Sequence, residues 1–428
     1  MPVRNWSWEP LSARHYKLSD RGKNPSQTLS GFEENFHVGP GTECQLIFQL
    51  RNDKNVDVLE CPCRNSQLSH NIGILQSFGF LRAGTSFILH DICFHLKIEL
   101  RVRKQSLNTV GWPRRTKMSV NVFVTGGAGY VGCALTGRLL QEGYDVTVFD
   151  NLMYGGRGLI PYFVDPKFHF IKGDIRDKQH LAEAVRKADV IVHLAAIVGY
   201  PACKKDPHLA QDVNIDGTRN LLAVRGDSQT ILYASTGSNY GAYTGALCTE
   251  ETPLNPLTLY GISKTKAERE VLDAGNALAF RFATAFGVSN RMRLDLLIND
   301  FTYRALKERS LILYEKTFKR TFIHVRDMAA SFSFAIRNLE KMKNDVFNVG
   351  SEKMNYNKEE IALKIQRKVP YYLHFADTGK DEDQRNYEVS YEKMRRLGFT
   401  TTIDVDQGVD ELIRVYSVID AHSEYSNL

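Results

Sequence analysis

Val122-Phe123-Val124-Thr125-Gly126-Gly127-Ala128-Gly129-Tyr130-Val131-Gly132 is the stretch on which the reading of this 428-residue chain turns. A short β-favouring run enters glycines at 126, 129 and 132, and helical spacing takes over from Tyr130 to Gln141. A dinucleotide site needs this order. The backbone must turn sharply, approach a pyrophosphate with no Cβ in the way, and aim helix N-terminal amides at the phosphates. The next apolar run, 145–150, ends on Asp150, 18 residues after Gly132. A carboxylate there accepts hydrogen bonds from the adenosine ribose and repels a 2′-phosphate, so NAD is expected over NADP. Asp150 and Asn151 also suit a simple turn.

Further apolar runs at 168–171, 190–195 and 230–234 read as strands, with helical spacing over 178–187 and 207–224 between them. Strands alternating with helices at this interval need crossover connections, which build a parallel sheet covered on both faces. The expected class is α/β, a doubly wound parallel sheet of Rossmann type, over residues 118–285. Beyond Ala283 the alternation loosens. Helical spacing over 294–308, 326–339, 358–368 and 407–419 surrounds extended runs at 321–325 and 346–349. Residues 286–428 are read as a smaller C-terminal substrate lobe interleaved with returning Rossmann elements.

Composition narrows the class. With 43% hydrophobic and 24% charged residues the chain is neither disordered throughout nor collagen-like. The 7 cysteines are too few and odd in number for a disulfide framework, so free thiols in a reducing, cytoplasmic setting are expected. The uncharged window from Met118 to Gly137 is broken by five glycines. It reads as a loop between elements, and no membrane association or secretory signal is expected.

The formal charge of +6 lies wholly in residues 1–117, which hold 16 Lys and Arg against 10 Asp and Glu. That front also contains Trp6, Trp8 and Trp112. Residues 1–86 keep no sustained period, and the apolar run 87–100 suits one strand or short helix. Cys61, Cys63, His70, His90, Cys93 and His95 match no familiar zinc spacing, so no metal is expected. The basic stretch from Arg101 to Lys117 would suit RNA or anionic lipid, but a solvated linker is the favoured reading and no nucleic-acid partner is expected. Residues 1–117 are read as an extension of uncertain fold, outside the functional unit. It is expected to be either a poorly ordered extension or the product of a misplaced translation start.

Tyr260 and Lys264 stand four apart and share a face if helical. Tyr200/Lys204 and Tyr303/Lys307 have the same spacing. Position separates them. Tyr200 precedes Pro201 in what reads as a loop, and Tyr303 lies on a lobe helix. Tyr260 opens the helix after the fifth strand, whose end carries Ser235 and Thr236 at the ligand-binding edge of such a sheet. Oxidising a sugar alcohol requires a base for its hydroxyl proton, and a free phenol with pKa of about 10 is too weak. Lys264 can stabilise the phenolate, and Thr236 can hold the same substrate oxygen.

Together these residues resemble the extended short-chain dehydrogenase/reductases, the NAD-dependent epimerase/dehydratase family acting on nucleotide sugars. The likeness runs from about 120 to about 416, through TGGAGYVG at 125–132, FDN at 149–151, GDIRD at 173–177 and HLAA at 193–196. It continues through NIDGT at 214–218, STGSNYG at 235–241, YGISK at 260–264 and RTFIHVRD at 320–327. The resemblance implies Tyr260, Lys264 and Thr236 as catalytic groups. It implies cofactor contacts at Gly126, Gly129, Tyr130, Val131, Gly132, Asp150, Asn151, Asp174, Ile175, Ala195, Ala196 and Lys264. Arg320, and more weakly Arg385, would clasp the substrate diphosphate.

In the family's 4,6-dehydratases an Asp-Glu pair follows the threonine, where this chain has Gly237 and Ser238. Dehydration therefore loses its acid and base. The expected activity is nucleotide-sugar epimerisation by transient C4 oxidation to a 4-keto sugar and hydride return. A decarboxylase or ketosugar reductase of the same family is the alternative, and an NAD-binding regulator without chemistry is the alternative of another class. Arg291, Arg293, Asn299 and Asp300 of the lobe are the residues expected to choose among substrates. The resemblance also implies a homodimer through the 207–224 helix and the Tyr260 helix.

Overall fold

The computed structural model describes residues 44–52, 55–63, 120–241, 247–376 and 388–427. The chain divides after Pro113 into two units. In the first, β1 (Cys44–Asn52) and β2 (Asn55–Cys63) form an antiparallel hairpin, Cys44 opposite Cys63 and Asn52 opposite Asn55. The sequence reading did not derive this hairpin. Its alternation at Leu46, Phe48 and Leu50 is blurred by Ile47, and the window is short. The runs at 87–100 and 101–117 lie outside the described residues.

In the second unit, β3 (Asn121–Thr125) leads into α1 (Tyr130–Gln141), followed by β4 (Asp145–Asp150), β5 (Phe168–Lys172), α2 (Lys178–Val185) and β6 (Val190–His193). Next come α3 (Tyr200–Lys205), α4 (Pro207–Gln211), a π turn (Asp212–Asp216), α5 (Gly217–Val224), β7 (Thr230–Thr236), α6 (Leu259–Asp273) and β8 (Ala277–Phe282). The chain continues with β9 (Thr284–Phe286), α7 (Leu297–Lys307), β10 (Ser310–Leu313), β11 (Arg320–His324), α8 (Val325–Arg337), α9 (Leu339–Met342) and β12 (Asp345–Val349). It closes with β13 (Asn355–Tyr356), α10 (Lys358–Gln366), β14 (Tyr372–Phe375), α11 (Glu392–Arg396) and α12 (Val405–Tyr416).

Seven parallel strands stand in the order β12-β8-β7-β6-β3-β4-β5. Alternation along each strand divides the core. Val122, Val124, Val146, Val148, Val190, Val192, Leu278 and Phe280 face one layer with Leu135 and Leu139 of α1 and Phe332 of α8. Phe123, Phe149, Ile191, Tyr233 and Ala279 face the other with Leu181 of α2, Leu221 of α5 and Val271 of α6. Burial on both faces explains strands that are apolar at successive positions. This is the doubly wound Rossmann architecture expected. The order reverses at β3, whose neighbours are β4 and β6, and that switch point opens a crevice at the strands' carboxyl ends. The lobe's separate core holds Phe286, Phe322, Ile361 and Leu412, beside a three-stranded β13-β11-β9 sheet.

Three local readings change. The strand expected at 190–195 ends at His193: Leu194 N makes the last ladder bond, to the Thr125 carbonyl at 3.1 Å, and the Ala195 amide turns instead to the Thr125 side chain, donating to Oγ1 at 3.3 Å. The single helix expected over 207–224 is interrupted by the π turn, which swings Asn214 inward: Ile197 N donates to its Oδ1 at 2.7 Å and its Nδ2 donates to Ser263 Oγ at 3.1 Å. Tyr200–Lys205, read as a loop because of Pro201, is helical, since proline is tolerated in a first turn that needs no donor there.

Candidate active site

The glycine turn is built by steric necessity at two positions. Gly126 has φ +71°, and a Cβ on it would stand 2.6 Å from the Ala195 nitrogen of β6's exit. A Cβ on Gly132 would stand 2.4 Å from the Gly126 carbonyl oxygen, so α1 could not lie against the turn. Gly129 caps α1 without a side-chain hydrogen bond, leaving the first turn open to an anion. The Tyr130 side chain points inward, its hydroxyl donating to the Gly287 carbonyl at 2.7 Å, and burial raises its pKa. Tyr130 therefore offers its backbone to the cleft and anchors the turn to the lobe.

Asp150 closes the other side. Its Oδ2 accepts from Ala128 N at 3.0 Å and its Oδ1 from Leu152 N at 2.7 Å. Burial raises its pKa, opposed by those two amides. One carboxylate thus both holds the turn and lines the cleft. Asp174 is held by Arg176, whose Nε and Nη2 donate at 2.9 and 2.8 Å, and by Asn151 Nδ2 at 2.9 Å. Chiefly through the Arg176 bonds, its carboxyl is lowered to about 2.

One cleft of about 480 Å³ is lined by Gly126, Gly129, Tyr130, Val131, Gly132, Asp150, Asn151, Asp174, Ile175, Ala195 and Ala196. Thr236, Tyr260, Lys264 and Arg320 line the same cleft. Thr236 ends β7, where its Oγ1 accepts from Ser238 N at 3.1 Å and donates to Ser238 Oγ at 3.1 Å. α6 starts at a Thr258 cap, whose Oγ1 accepts from Gly261 N at 3.2 Å, and this sets Tyr260 in the first turn. Lys264, one turn later, is 3% exposed, and burial pushes its ammonium down to about 7 against the pull of Glu268. Arg385 lies outside the described residues.

The comparison pairs fare differently. Tyr200 also lines the cleft, but Lys204 is exposed, with its ammonium 5.5 Å from the Tyr200 ring centroid. Tyr303 and Lys307 are tied to the lobe's end, through Ala421 N to Tyr303 Oη and Lys307 to Asp420.

Against known proteins, the NAD dependent epimerase/dehydratase family matches residues 122–350. The chain belongs to this family. It is 30% identical to the low-salt glycan biosynthesis protein Agl12 of Haloferax volcanii over 311 residues, covering 69% of this chain and 98% of that one. It is 30% identical to a UDP-glucose 4-epimerase of Lactobacillus helveticus over 282 residues, covering 59% of this chain and 84% of the relative. The crystal structure of a dTDP-glucose 4,6-dehydratase from Bacillus anthracis in complex with NAD superposes with a TM-score of 0.62 at 25% identity, covering 70% and 97% of the two chains.

This member of the epimerase/dehydratase family is an enzyme fold with NAD as its cofactor, and the residues present fit that group. The turn that a Cβ would fill, the uncapped first turn of α1 and the Asp150 carboxylate form the cradle. Of the four lobe residues singled out beforehand, Arg291 and Arg293 line the cleft. Asn299 is instead a scaffold, accepting from Gly287 N and donating to the Arg293 carbonyl, each at 2.9 Å. Asp300 sits in the first turn of α7 near Arg304. Sequence reading missed Tyr154 and Asp295 at the cleft, which carry no local motif, while Ser238, read only as the replacement of a dehydratase carboxylate, lines it too. Among the described residues no helix is long and apolar enough to cross a membrane.

Proposed function

We propose that this chain is an NAD-dependent nucleotide-sugar epimerase, acting through transient oxidation at C4 to a 4-keto sugar and re-reduction from the opposite face. The observation that carries the reading is the convergence of Thr236, Tyr260 and Lys264 on the glycine-turn cleft, with no carboxyl side chain at 237 or 238. Bound NAD supplies the acceptor and donor of the electron pair at the sugar carbon. Tyr260 takes the C4 hydroxyl proton and later returns it. Lys264, buried one turn away, stabilises the phenolate, and Thr236 holds the same oxygen by a hydrogen bond. Arg320 pairs with the substrate diphosphate, joined by Arg385.

A decarboxylase or ketosugar reductase would share this machinery, and product identity separates them. A regulator without chemistry has no use for an ammonium buried at such cost, which disfavours it. The same reading has the enzyme as a homodimer through α4–α5 and α6, where Ile262 is 49% exposed on α6. The test is incubation with UDP-, GDP-, dTDP- and CDP-sugars followed by product identification. Epimer formation, lost in Tyr260→Phe by about 10²- to 10⁴-fold with NAD affinity retained, is the expected result. Absence of any turnover by NAD-loaded wild type overturns the reading.

A further inference from the structure

A buried ion pair stands behind the proposed catalytic groups and takes no part in the chemistry above. Glu268 lies on α6 one turn beyond Lys264, and Arg281 lies on β8; their side chains are 3% and 6% exposed. Arg281 Nη2 donates to Glu268 Oε1 at 2.7 Å, and Nε donates to the same oxygen at 3.1 Å. Glu268 Oε2 accepts from Ser235 Oγ and from Asn239 Nδ2, the latter at 2.9 Å. Arg281 Nη1 donates to Tyr240 Oη at 3.2 Å and to the Glu250 carbonyl at 3.0 Å. Tyr240 Oη donates onward to Asn348 Oδ1 at 2.6 Å.

Ser235, Asn239 and Tyr240 belong to the segment that carries Thr236 and Ser238 into the cleft. The bonds made by Ser235, Asn239 and Tyr240 therefore tie the threonine-bearing turn to Glu268 of α6, Arg281 of β8 and Asn348 of β12, and the Arg281–Glu268 pair joins that helix to that strand. A buried ion pair is rarely more stabilising than apolar residues of the same volume, so stability alone is a weak reason for its presence. Its directional bonds do something an apolar pair cannot, which is to set the register between strand end and helix. We propose that Glu268 and Arg281 are positioning residues: they fix the Thr236 turn against the Tyr260 helix, and the Glu268 carboxylate supplies negative charge to the buried Lys264. The assignment rests on the function proposed above.

The charge balance around Lys264 gives the inference a readout that packing would not move. Lys264 is faced by His193 from β6, by Tyr233 from β7 and by Cys203 from α3, and along its own helix by Tyr260 and Glu268. Burial pushes His193 down to about 3 and Cys203 up to about 11, so both are neutral near pH 7. Glu268 is then the carboxylate among these groups that opposes desolvation of the ammonium. Removing its charge lets Lys264 lose its proton at lower pH.

The test uses the full chain carrying Glu268→Gln, with NAD affinity measured by calorimetry across pH and turnover measured on the nucleotide sugar. The expected result is a kcat lowered about 10- to 100-fold, with KM changed less than about threefold. The pH at which NAD affinity declines moves down by about one unit, a dependence that Lys264→Met abolishes. Ser235→Ala, which cuts one arm but keeps the charge, lowers kcat and leaves that pH unmoved. Calorimetry needs no turnover, so it tests the charge role separately: wild type inert on every sugar condemns the epimerase reading alone. Wild-type kcat and an unshifted pH dependence in Glu268→Gln overturn the inference. If that variant does not fold, Arg281→Lys replaces it, with kcat expected to fall and the pH of NAD release retained; wild-type kcat in both Arg281→Lys and Ser235→Ala then overturns it.

Discussion

The Lys264 ammonium lies 4.0 Å from the centroid of the Tyr233 ring, over the aromatic face and beneath the cleft. A cation on a ring face recovers part of the solvation that burial removes. The remainder is seen in the depression of Lys264 to about 7, where desolvation outweighs the attraction of Glu268. An ammonium so placed releases its proton near neutrality, which makes its charge state sensitive to pH where a surface lysine's is not.

Stability should show the same penalty. Between pH 7 and 10.5 the unfolded chain keeps a Lys264 proton that the folded chain has released, so wild-type stability rises with pH across that window. Below about pH 7 the full cost of the buried charge is present. Lys264→Met removes that cost. In NAD-free protein its melting temperature should exceed wild type by the largest margin below pH 7 and by less as pH climbs toward 10. Scanning calorimetry at several pH values checks this, and a margin constant with pH contradicts it. Turnover in the same variant should fall by about 10²- to 10⁴-fold.

Gly132→Ala should damage fold and cofactor site together. Its Cβ would meet backbone, the Gly126 oxygen at 2.4 Å and the Gly127 Cα at 2.5 Å, and backbone cannot rotate aside as a side chain can. A loss of about 1–3 kcal/mol in denaturant unfolding is expected. NAD affinity should weaken at least about tenfold, since one tenfold step costs only about 1.4 kcal/mol of misplaced pyrophosphate contacts. A variant that unfolds earlier but binds NAD like wild type would separate helix packing from the phosphate site.

Asp150→Asn keeps an acceptor for one of the two amides that Asp150 holds, Ala128 N or Leu152 N, and removes the charge. Preference for NAD over NADP should shrink by about tenfold, roughly the worth of one charge-assisted hydrogen bond. Calorimetric titration with both dinucleotides decides it. An unchanged ratio would mean that the loop shape, and not the carboxylate, excludes the 2′-phosphate.

Arg320→Met addresses substrate grip. Arg320 opens β11 and lines the cleft. A guanidinium holding a diphosphate contributes equally to ground and transition states, so KM for the nucleotide sugar should rise about 10- to 100-fold while kcat moves less than about threefold. Steady-state kinetics reads the split. A fall in kcat at unchanged KM would place Arg320 at the reacting carbon.

Much of the candidate site was legible in the chain because its signals are local. Gly126, Gly129 and Gly132 mark a backbone path, and Asp150 marks the next strand's end. Tyr260 and Lys264 share a helix face at four-residue spacing. Their legibility has limits. Tyr200 and Lys204 share that spacing and a helix, yet Lys204 is exposed while Lys264 is 3% exposed, and the spacing alone does not distinguish the two; their places relative to the strands do. The π turn at Asn214 was hidden because its cause, bonds to Ile197 and Ser263, lies far along the chain.

By itself the amino-acid order determined the alternation of strands and helices, the glycine turn and the tyrosine–lysine pair proposed to handle the proton. Each depends on backbone sterics or on periodicities that act over a few residues. Only the tertiary structure decided which groups meet: Glu268 with Arg281, Lys264 with Tyr233, Tyr130 with Gly287. Those meetings follow from strand order in the sheet, which sets side by side elements that the chain visits at distant times. Burial then gives the encounters their energy, because a charge or hydroxyl removed from water is held to the few partners the fold provides.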